Sequence, residues 1–529
     1  MTLTAPPPTT TAPPPAAYAA TSADRSRPDG RSRLPWLFGA AALTLAVTTR
    51  QFADPDAWWH LGVGRIIVDS GIPAQEPFSV AGAPNPWIGQ QWLYEVGLAR
   101  VVAAGGPGLA MVGMGMVAAA AFLVAALATR RNENIPSAAL AASMLVCCLV
   151  AGEVLGVRGQ VVTVLGFSLV LLVVTRWRDG SSRAAWALPP LMLIWANLHA
   201  GFVAGLVLAL TAACTVAVHR RFGGDEPGKV HTLLAATGLA ALATMINPAG
   251  PRLWGYVLDT FTNPTLTQSI VEWQSPNFHT FWPRVAAALV VGIVVLWALG
   301  GRRPDPLDAV LLLGTAGATL QAQRNVALLA IVATPQLARY AVAAWRHRHL
   351  DSGLPAARRR HNAPAAFRWA VTAVVAGATL VTIVLPTAAA SATARYESEH
   401  WPAAAATWVG AHRPGARLYS LYEWGGYLAQ RFPGQRIVWI YGESAVFGDQ
   451  RLRDYLVVHD LEPGWRDMLA RNGIRDAVLP VDERETVAML EVGWTPLCYD
   501  RVSASVVLEE GSAPARGTHP PDPRSAPVC

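Results

Sequence analysis

The chain has 529 residues, of which 52% are hydrophobic and only 15% are charged, and its mean hydropathy is +0.30. A soluble domain usually carries about 25% charged residues, so this composition excludes an ordinary soluble protein and predicts an α-helical polytopic membrane protein. The net charge of +7 does not indicate a nucleic-acid partner, because the basic residues lie in short loops between apolar runs, where they orient a chain in the bilayer.

The first 33 residues are rich in proline, threonine and alanine and contain no apolar core. They predict a disordered cytoplasmic arm over 1–33. Apolar runs then recur over 34–392 and predict a transmembrane domain of about eleven helices. The predicted helix starts are Leu34, Pro107, Pro136, Gln160, Ala184, Gly201, Val230, Arg284, Pro306, Asn325 and Phe367. Residues 50–106 form the predicted first external loop, in which the amphipathic segment 91–104 is either an interfacial helix or a further span.

Alternate loops of this domain are basic. They are 130–131, 176–183, 219–229, 301–305 and 345–361. Because short cytoplasmic loops are enriched in lysine and arginine, the alternation predicts a cytoplasmic N-terminus and an extracytoplasmic region after residue 392. The opposite loops contain polar residues that are costly at membrane depth. We therefore predict a single functional site at the outer membrane boundary.

The stretch FADPDAWWH, at 52–60, is the first of these outer polar clusters. Asp54 and Asp56 form a carboxylate pair that either acts as a general base or holds a divalent cation such as Mg²⁺ or Mn²⁺. Asp54 alternatively caps the helix that follows it. Trp58 and Trp59 either stack on a sugar ring or lie at the membrane interface, and His60 is a further candidate for contacting substrate.

Polar residues of the other outer loops are further candidates for binding substrate. Arg158 and Arg324 present the planar guanidinium that suits phosphate oxygens, although Arg158 alternatively pairs with Glu153. His199 either binds a ligand, acts as an acid or base, or forms a hydrogen-bonded helix terminus. Glu272 either contacts substrate or only adds polarity to its loop.

The region after the last apolar run alternates strand-like and helix-like segments. Residues 393–510 therefore predict a small α/β extracytoplasmic domain, with strands expected in 416–432 and 436–442. The polar, proline-containing stretch 511–529 predicts a disordered tail. A disulfide between Cys498 and Cys529 is compatible with the sequence but has little else in its favour.

Two stretches of the first loop resemble a known family. The segments DPDAWWHLGVGRIIVDSGIPAQEPFS (54–79) and WIGQQWLYE (87–95) are similar to the first external loop of GT-C-fold glycosyltransferases, and archaeal oligosaccharyltransferase catalytic subunits have the nearest pattern. The WANLHAG and EWGGYL segments resemble those of a broad group of bacterial membrane proteins. No W-W-D-Y-G-like motif follows, so transfer onto an asparagine sequon is not expected.

The resemblance implies a GT-C-like transmembrane domain in a bacterial inner membrane, with its active site on the outer face. It implies a polyprenyl-phosphate-linked sugar donor and a first-loop carboxylate that binds metal or deprotonates the acceptor, a role that falls on Asp54 or Asp56. We therefore expect a membrane glycosyltransferase that acts on an extracytoplasmic glycan, lipid or protein. The alternatives are a transporter or flippase for a lipid-linked sugar, and a non-catalytic scaffold that binds a cell-wall polymer.

Overall fold

The computed structural model describes residues 34–83, 85–131, 133–301, 303–350, 365–511 and 519–529. The predicted arm and the end of the last basic loop lie outside these residues. In the membrane region the helices are α1 (Leu34–Thr48), α2 (Pro55–Ser70), α3 (Trp92–Leu127), α4 (Ser137–Ala151), α5 (Gln160–Arg178), α6 (Leu188–Leu198), α7 (Phe202–Arg221), α8 (Val230–Ala243), α9 (Arg252–Thr262), α10 (Pro264–Ser269), α11 (Phe281–Leu299), α12 (Pro306–Gln321), α13 (Val326–Leu350) and α14 (Ala365–Thr379).

Six helical segments among the described residues are long and apolar enough to cross a membrane. They are Trp92–Leu127, Ser137–Val154, Gln160–Arg178, Phe202–Arg221, Phe281–Leu299 and Gln323–His349. Three shorter apolar helices cover Pro35–Thr48, Val230–Ala243 and Ala366–Thr379. A helix lies at or beside each of the eleven predicted starts, but several of these helices are short, so the number of spans stays a prediction.

Helix α3 contains the segment that the sequence left open between an interfacial helix and a further span. A kink at Gly105 and Gly106, where Gly106 has a φ of 72°, joins the segment to the helix predicted from Pro107. The first part of α3 packs on α2, and Gly64 permits this approach, because a Cβ there would overlap the carbonyl group of Glu95. The segment is therefore continuous with a helix that is long and apolar enough to cross a membrane.

Loops predicted to be cytoplasmic meet at one end of the helices. Arg178 pairs with Asp305 at 2.8 Å and also with Glu226, and Arg130 lies 3.5 Å from Asp179. Helix α5 ends at Arg178 and begins two residues after Arg158. At about 1.5 Å per residue its 19 residues span roughly 28 Å, close to the hydrocarbon thickness of a bilayer. The charged residues around Arg178 and those around Arg158 thus lie at opposite ends of α5.

The helices α15 (Leu385–Ala388), α16 (Ala390–His400) and α17 (Ala403–His412) lead into the C-terminal domain. Its remaining elements are β1 (Leu418–Ser420), α18 (Tyr422–Arg431), α19 (Ser444–His459), α20 (Trp465–Arg471), β2 (Asp476–Pro480), α21 (Arg484–Glu491), β3 (Thr495–Asp500) and β4 (Ser505–Glu509). The sheet has the order β1-β2-β4-β3, in which β1 is parallel to β2 and the other pairs are antiparallel.

Two predictions for this domain differ from the structure. Segment 436–442 is not a strand of the sheet, because its pairing does not extend along the segment: Val438 forms only isolated bridges, one with Ser79 and one with Leu418. The tail is ordered over 519–529, since Cys529 forms a disulfide with Cys498 and Val528 pairs with Tyr499 in β3. Composition alone pointed to disorder there, and the cross-link supplies what composition cannot show.

The described residues form two hydrophobic cores. One lies among the spanning helices. The other joins α2 and the start of α3 to the C-terminal domain, with Trp58 packed edge-on against both Phe52 and Tyr427. The first external loop and the C-terminal domain therefore fold against each other as one body above the membrane helices, and this body positions the candidate site.

Candidate active site

Asp54 begins the site at the N-terminus of α2. One of its oxygens, Oδ1, accepts the N–H of Asp56 at 2.9 Å, and Pro55 occupies the first helical position, so Asp54 is the helix cap. Its other oxygen, Oδ2, lies 3.0 Å from Nε of Arg158. Asp54 is therefore a helix cap, as one alternative predicted, and its catalytic or metal-binding role stays a prediction. Capping engages only one oxygen of the carboxylate and leaves the other for Arg158.

Arg158 lies between two carboxylates. In addition to Asp54, it contacts Oε1 of Glu272 through Nη1 at 2.5 Å. The internal pair with Glu153 that the sequence also allowed is not formed. Burial raises the pKa of Asp54, and the Arg158 charge opposes that rise. Burial also tends to raise the pKa of Glu272, but the Arg158 charge outweighs burial and holds the pKa of Glu272 below its usual value. Two distant loops are thus linked by one buried cation.

Asp56 lies beside this trio. Its Oδ1 accepts a hydrogen bond from Nε1 of Trp59 at 3.0 Å. Burial, and next the charge of Asp54, raise the pKa of Asp56 to about 7. A carboxyl group with that pKa is half ionised near neutral pH, which suits a general base. Trp58, by contrast, is packed between the first loop and the C-terminal domain and does not line the cavity, so its predicted contact with substrate has no geometric support.

The two predicted histidines line the same cavity and are neutral. His60 lies 3.1 Å from Oε1 of Glu95 and stacks on Trp59, and burial lowers its pKa well below the usual value. His199 caps α6, and its Nδ1 accepts the N–H of Gly201 at 3.0 Å. Burial, and next Arg324, lower the pKa of His199 to about 3. The neutral imidazole of His199 therefore carries its proton on Nε2.

Arg324 differs from Arg158 in forming no ion pair among the described residues, although the charge of Glu272 acts on it from a distance. Its guanidinium carbon lies 4.5 Å from the centre of the Trp273 ring. No ion pair joins it to a carboxylate among the described residues, and its main-chain oxygen accepts a hydrogen bond from Nε2 of Gln160 at 3.0 Å. A cation that is mostly buried yet unpaired is costly, so this side chain is free to bind an anion.

A cavity of about 150 Å³ connects these side chains. Its lining comprises Asp56, Trp59, His60, Gln91, Arg158, Gly159, Gln160, His199, Tyr256, Thr260, Ile270, Glu272, Trp273, Arg324, Gly442, Glu443 and Ala445. Seven of these residues are candidates predicted from the sequence. Asp54 lies behind the lining, bound to Arg158.

Glu443 is the residue that sequence reasoning missed. It follows segment 436–442 in the C-terminal domain, and its side chain is held by Nε2 of Gln90 and by the hydroxyl of Tyr256, each at 3.3 Å. Burial, and next the charge of Asp56, raise the pKa of Glu443 to about 8. The available signal was a carboxylate directly after an extended apolar run, but one sequence cannot show which of many such carboxylates returns to the first loop.

Two apolar cavities adjoin the polar one. A cavity of about 440 Å³ lies among α4, α11, α12 and α13 and reaches Glu272 and Gln323. A second, of about 180 Å³, lies among α5, α7, α9 and α13 and shares His199 and Arg324 with the polar cavity. The polar cavity therefore borders apolar space between membrane helices.

The two aspartates fit a divalent cation poorly. Both oxygens of Asp54 are engaged, one by the Asp56 N–H and the other by Arg158, and Oδ1 of Asp56 accepts from Trp59. Among the described residues, no group of three or more His, Cys, Asp or Glu side chains is arranged to hold a metal ion. The cation at Asp54 and Asp56 stays a prediction.

No protein-family model matches the sequence, and no curated protein matches it. Solved structures do match the fold. ArnT from Cupriavidus metallidurans, bound to undecaprenyl phosphate, is 18% identical, with a TM-score of 0.51 over 90% of this chain and 99% of that chain. The archaeal oligosaccharyltransferase AglB from Archaeoglobus fulgidus, in complex with an inhibitory peptide and a dolichol-phosphate, is 12% identical, with a TM-score of 0.53 over 92% of this chain and 74% of that chain. The chain has the GT-C fold, as the first loop predicted.

Proposed function

We propose that the protein is a membrane glycosyltransferase that moves a sugar from a polyprenyl-phosphate-linked donor to an extracytoplasmic glycan, lipid or protein. The observation that carries this proposal is Arg324, a mostly buried cation that forms no ion pair within the described part of the chain and shares one cavity with Asp56. A phosphate at Arg324 supplies the missing counter-charge, and an ionised Asp56 supplies a base within the same space.

The surroundings of Arg324 suit the phosphate of such a donor. The Nε2–H of His199 and the side chain of Gln160 line the same part of the cavity and add polar groups without adding negative charge. The adjoining apolar cavities give an isoprenoid chain a path into the bilayer. The matching structures bind undecaprenyl phosphate and a dolichol-phosphate, which supports the same class of lipid here.

The proposed reaction is an inverting substitution at the anomeric carbon. Asp56 accepts the proton of the attacking group, while Arg324 stabilises the negative charge that develops on the departing phosphate. Arg158 is held by Asp54 and Glu272 and therefore acts mainly by fixing the positions of these carboxylates. Trp59 orients Asp56 through the indole N–H and leaves a ring edge in the cavity for the sugar.

The polar side chains along α5 favour a transferase over a transporter. Between its two ends α5 carries three hydroxyl side chains, on Thr163, Ser168 and Thr175. Thr163 bonds to His199 at the outer end, and the other two donate to main-chain oxygens one turn earlier. A transporter needs polar groups along a path through the membrane, and α5 offers none that is free.

The proposed orientation places the N-terminus in the cytoplasm and the C-terminal domain outside a bacterial cell membrane. The charge alternation supports it, and so does the disulfide between Cys498 and Cys529, because disulfides persist in oxidising compartments outside the cytoplasm. Reporter fusions after residue 131 and after residue 529 test it. Reporters on the same side would contradict it.

The test of function is the binding of undecaprenyl phosphate to the purified full chain, measured as quenching of its tryptophan fluorescence. We expect Arg324→Gln to weaken binding by at least about tenfold, because it removes the unpaired cation. Arg252→Gln is the matched control, since Arg252 is exposed in the same external region, and it should bind as the wild type does. Equal binding by the wild type and Arg324→Gln would contradict the proposed function.

A further inference from the structure

Glu443 reaches the cavity on a segment that is fixed from two sides. The Val438 oxygen accepts the N–H of Val80 at 2.9 Å, and the Trp439 N–H donates to Leu418 at 3.0 Å. The Tyr441 hydroxyl donates to the buried carboxylate of Glu76 at 3.0 Å. Segment 436–442 is therefore bonded to both the first external loop and the C-terminal domain, and the position of Glu443 is set before any ligand binds.

Gly442 brings the backbone of this segment directly against Asp56. A Cβ at position 442 would overlap Oδ1 of Asp56 and would lie 2.8 Å from Nε1 of Trp59. The Tyr422 hydroxyl donates to the Gly442 oxygen at 3.1 Å and fixes the turn from the C-terminal domain. Asp56 and Glu443 therefore face one part of the cavity as neighbours.

Glu443 lies among acidic groups and tyrosines. The titratable groups that act on Glu443 are Asp56 from α2, Glu95 from α3, Tyr256 from α9, and Tyr441 from its own segment. The arginines act on Asp56: Arg158, which is paired with Asp54 and Glu272, opposes the rise in the pKa of Asp56, and the Arg324 guanidinium over Trp273 also interacts with the Asp56 charge. A phosphate or carboxylate placed between Asp56 and Glu443 would be repelled by the ionised Asp56.

We propose that Glu443 belongs to an acceptor-binding site between α2 and the C-terminal domain, and that this site takes an uncharged hydroxyl group. The proposal rests on the proposed function. The hydroxyl donates to Asp56 and accepts from Glu443, which is protonated while Asp56 is ionised. In the transfer a bond forms between the acceptor oxygen and the anomeric carbon, and the bond from that carbon to the phosphate oxygen breaks. The electron pair of the broken bond stays on the phosphate, and the acceptor proton moves to Asp56.

The two carboxyl groups together match the hydrogen-bonding needs of a hydroxyl group. A single hydroxyl needs one acceptor for its proton and one donor for its oxygen lone pairs, and a pair of acids that share one negative charge supplies both. A protonated amine would be attracted by the negative charge of Asp56, but it has no free electron pair with which to attack the anomeric carbon. An anionic acceptor finds repulsion. Selectivity for hydroxyl groups follows from the two side chains together.

The experiment uses the purified full chain, a panel of undecaprenyl-phosphate sugars (glucose, galactose, mannose and arabinose) and three acceptors of one shape. The acceptors are octyl glucoside, its 6-phosphate and its 6-amino derivative. We expect transfer to octyl glucoside to exceed transfer to the other two by at least about tenfold. Glu443→Ala should raise KM for octyl glucoside by about tenfold and leave KM for the donor unchanged.

The pH profile separates acceptor binding from a structural role. Wild-type transfer should rise through pH 7 as Asp56 ionises and fall above pH 8 as Glu443 ionises. Glu443→Gln cannot ionise but still donates a hydrogen bond, so it should keep transfer at pH 7 and lose the decline above pH 8. Glu423→Gln, on the exposed face of α18, should leave the profile unchanged.

Three results would overturn the proposal: an unchanged alkaline limb in Glu443→Gln, equal or better transfer to the phosphate or amine acceptor, and no transfer to octyl glucoside by a protein that binds undecaprenyl phosphate. Failure of the wild type to bind undecaprenyl phosphate would instead remove the proposed function, and the acceptor site with it. The lipid-binding measurement therefore distinguishes the two failures.

Discussion

The contact between Gly442 and Asp56 permits a sharp test by adding one methyl group. In Gly442→Ala the new Cβ would overlap Oδ1 of Asp56 and lie 2.8 Å from Nε1 of Trp59. Carbon and oxygen atoms that are not bonded stay about 3.5 Å apart. The Asp56 carboxylate must therefore move by roughly 1.5 Å to restore that separation, and its hydrogen bond from Trp59 is lost or bent.

A displacement of this size has a predictable effect on the rate. Misplacing a reacting group by about 1 Å costs roughly a hundredfold, which corresponds to about 2.7 kcal/mol in the activation free energy. Overpacking of a buried contact also costs about 1–3 kcal/mol of folding stability. We expect transfer from an undecaprenyl-phosphate sugar to fall about a hundredfold, while binding of undecaprenyl phosphate at Arg324 stays within about twofold of the wild type.

The control is Gly97→Ala, because Gly97 is exposed in the first turns of α3 and a Cβ there meets no atom within 4 Å. It should leave transfer and thermal stability unchanged. Full activity in Gly442→Ala would refute the reasoning, since Asp56 could then shift without losing its role. Loss of lipid binding together with transfer would show that the whole site had collapsed.

Three further outcomes are expected. Asp54→Asn keeps the cap but removes the charge opposite Arg158, so transfer should fall at least about a hundredfold at unchanged membrane abundance. The control Asp69→Asn, at the exposed end of α2, should leave transfer unchanged. Equal losses of transfer in the two variants would rule out a role for the ion pair. Serine at both Cys498 and Cys529 opens a link across 31 residues, and the C-terminal domain should lose about 3 kcal/mol of unfolding free energy, seen as a lower melting temperature that reductant no longer changes. The pKa of His459 is raised by its hydrogen bond to Glu485, and burial, which lowers it, is offset by the Glu485 charge. The pair therefore stabilises the domain fully below about pH 6.5 and loses its effect as the pH rises through the raised pKa. His459→Gln should therefore shrink the drop in melting temperature between about pH 6 and pH 8.5, and an unchanged drop would assign it to other groups.

Hydropathy and charge alternation account for much of the membrane region. A helix lies at or beside each predicted start because a run of apolar residues in lipid can satisfy its backbone only as a helix. The same alternation placed Arg158, His199, Glu272 and Arg324 on one side, and the structure brings their side chains around one cavity. Periodicity and charge are local signals, and they suffice where the bilayer supplies the long-range order.

What the sequence could not predict depends on contacts between distant segments. Trp58 looked equivalent to Trp59, yet only Trp59 faces the cavity, because the helical turn directs Trp58 towards Tyr427. Glu443 had no distinguishing pattern, since its importance comes from Gly442 packing on Asp56. Such pairings are set by side-chain packing between parts of the chain far apart in sequence, and one sequence contains no record of them.

The bonding of segment 436–442 to both the first loop and β1 has a consequence for biosynthesis. Asp56 is synthesised long before the turn at Gly442 that packs against it. Until that turn docks on α2, the proposed base lacks the backbone that packs against it, and the proposed acceptor site is incomplete. On the proposed function, a chain that stalls during insertion would therefore be inactive, and activity would require the completed and folded C-terminal domain.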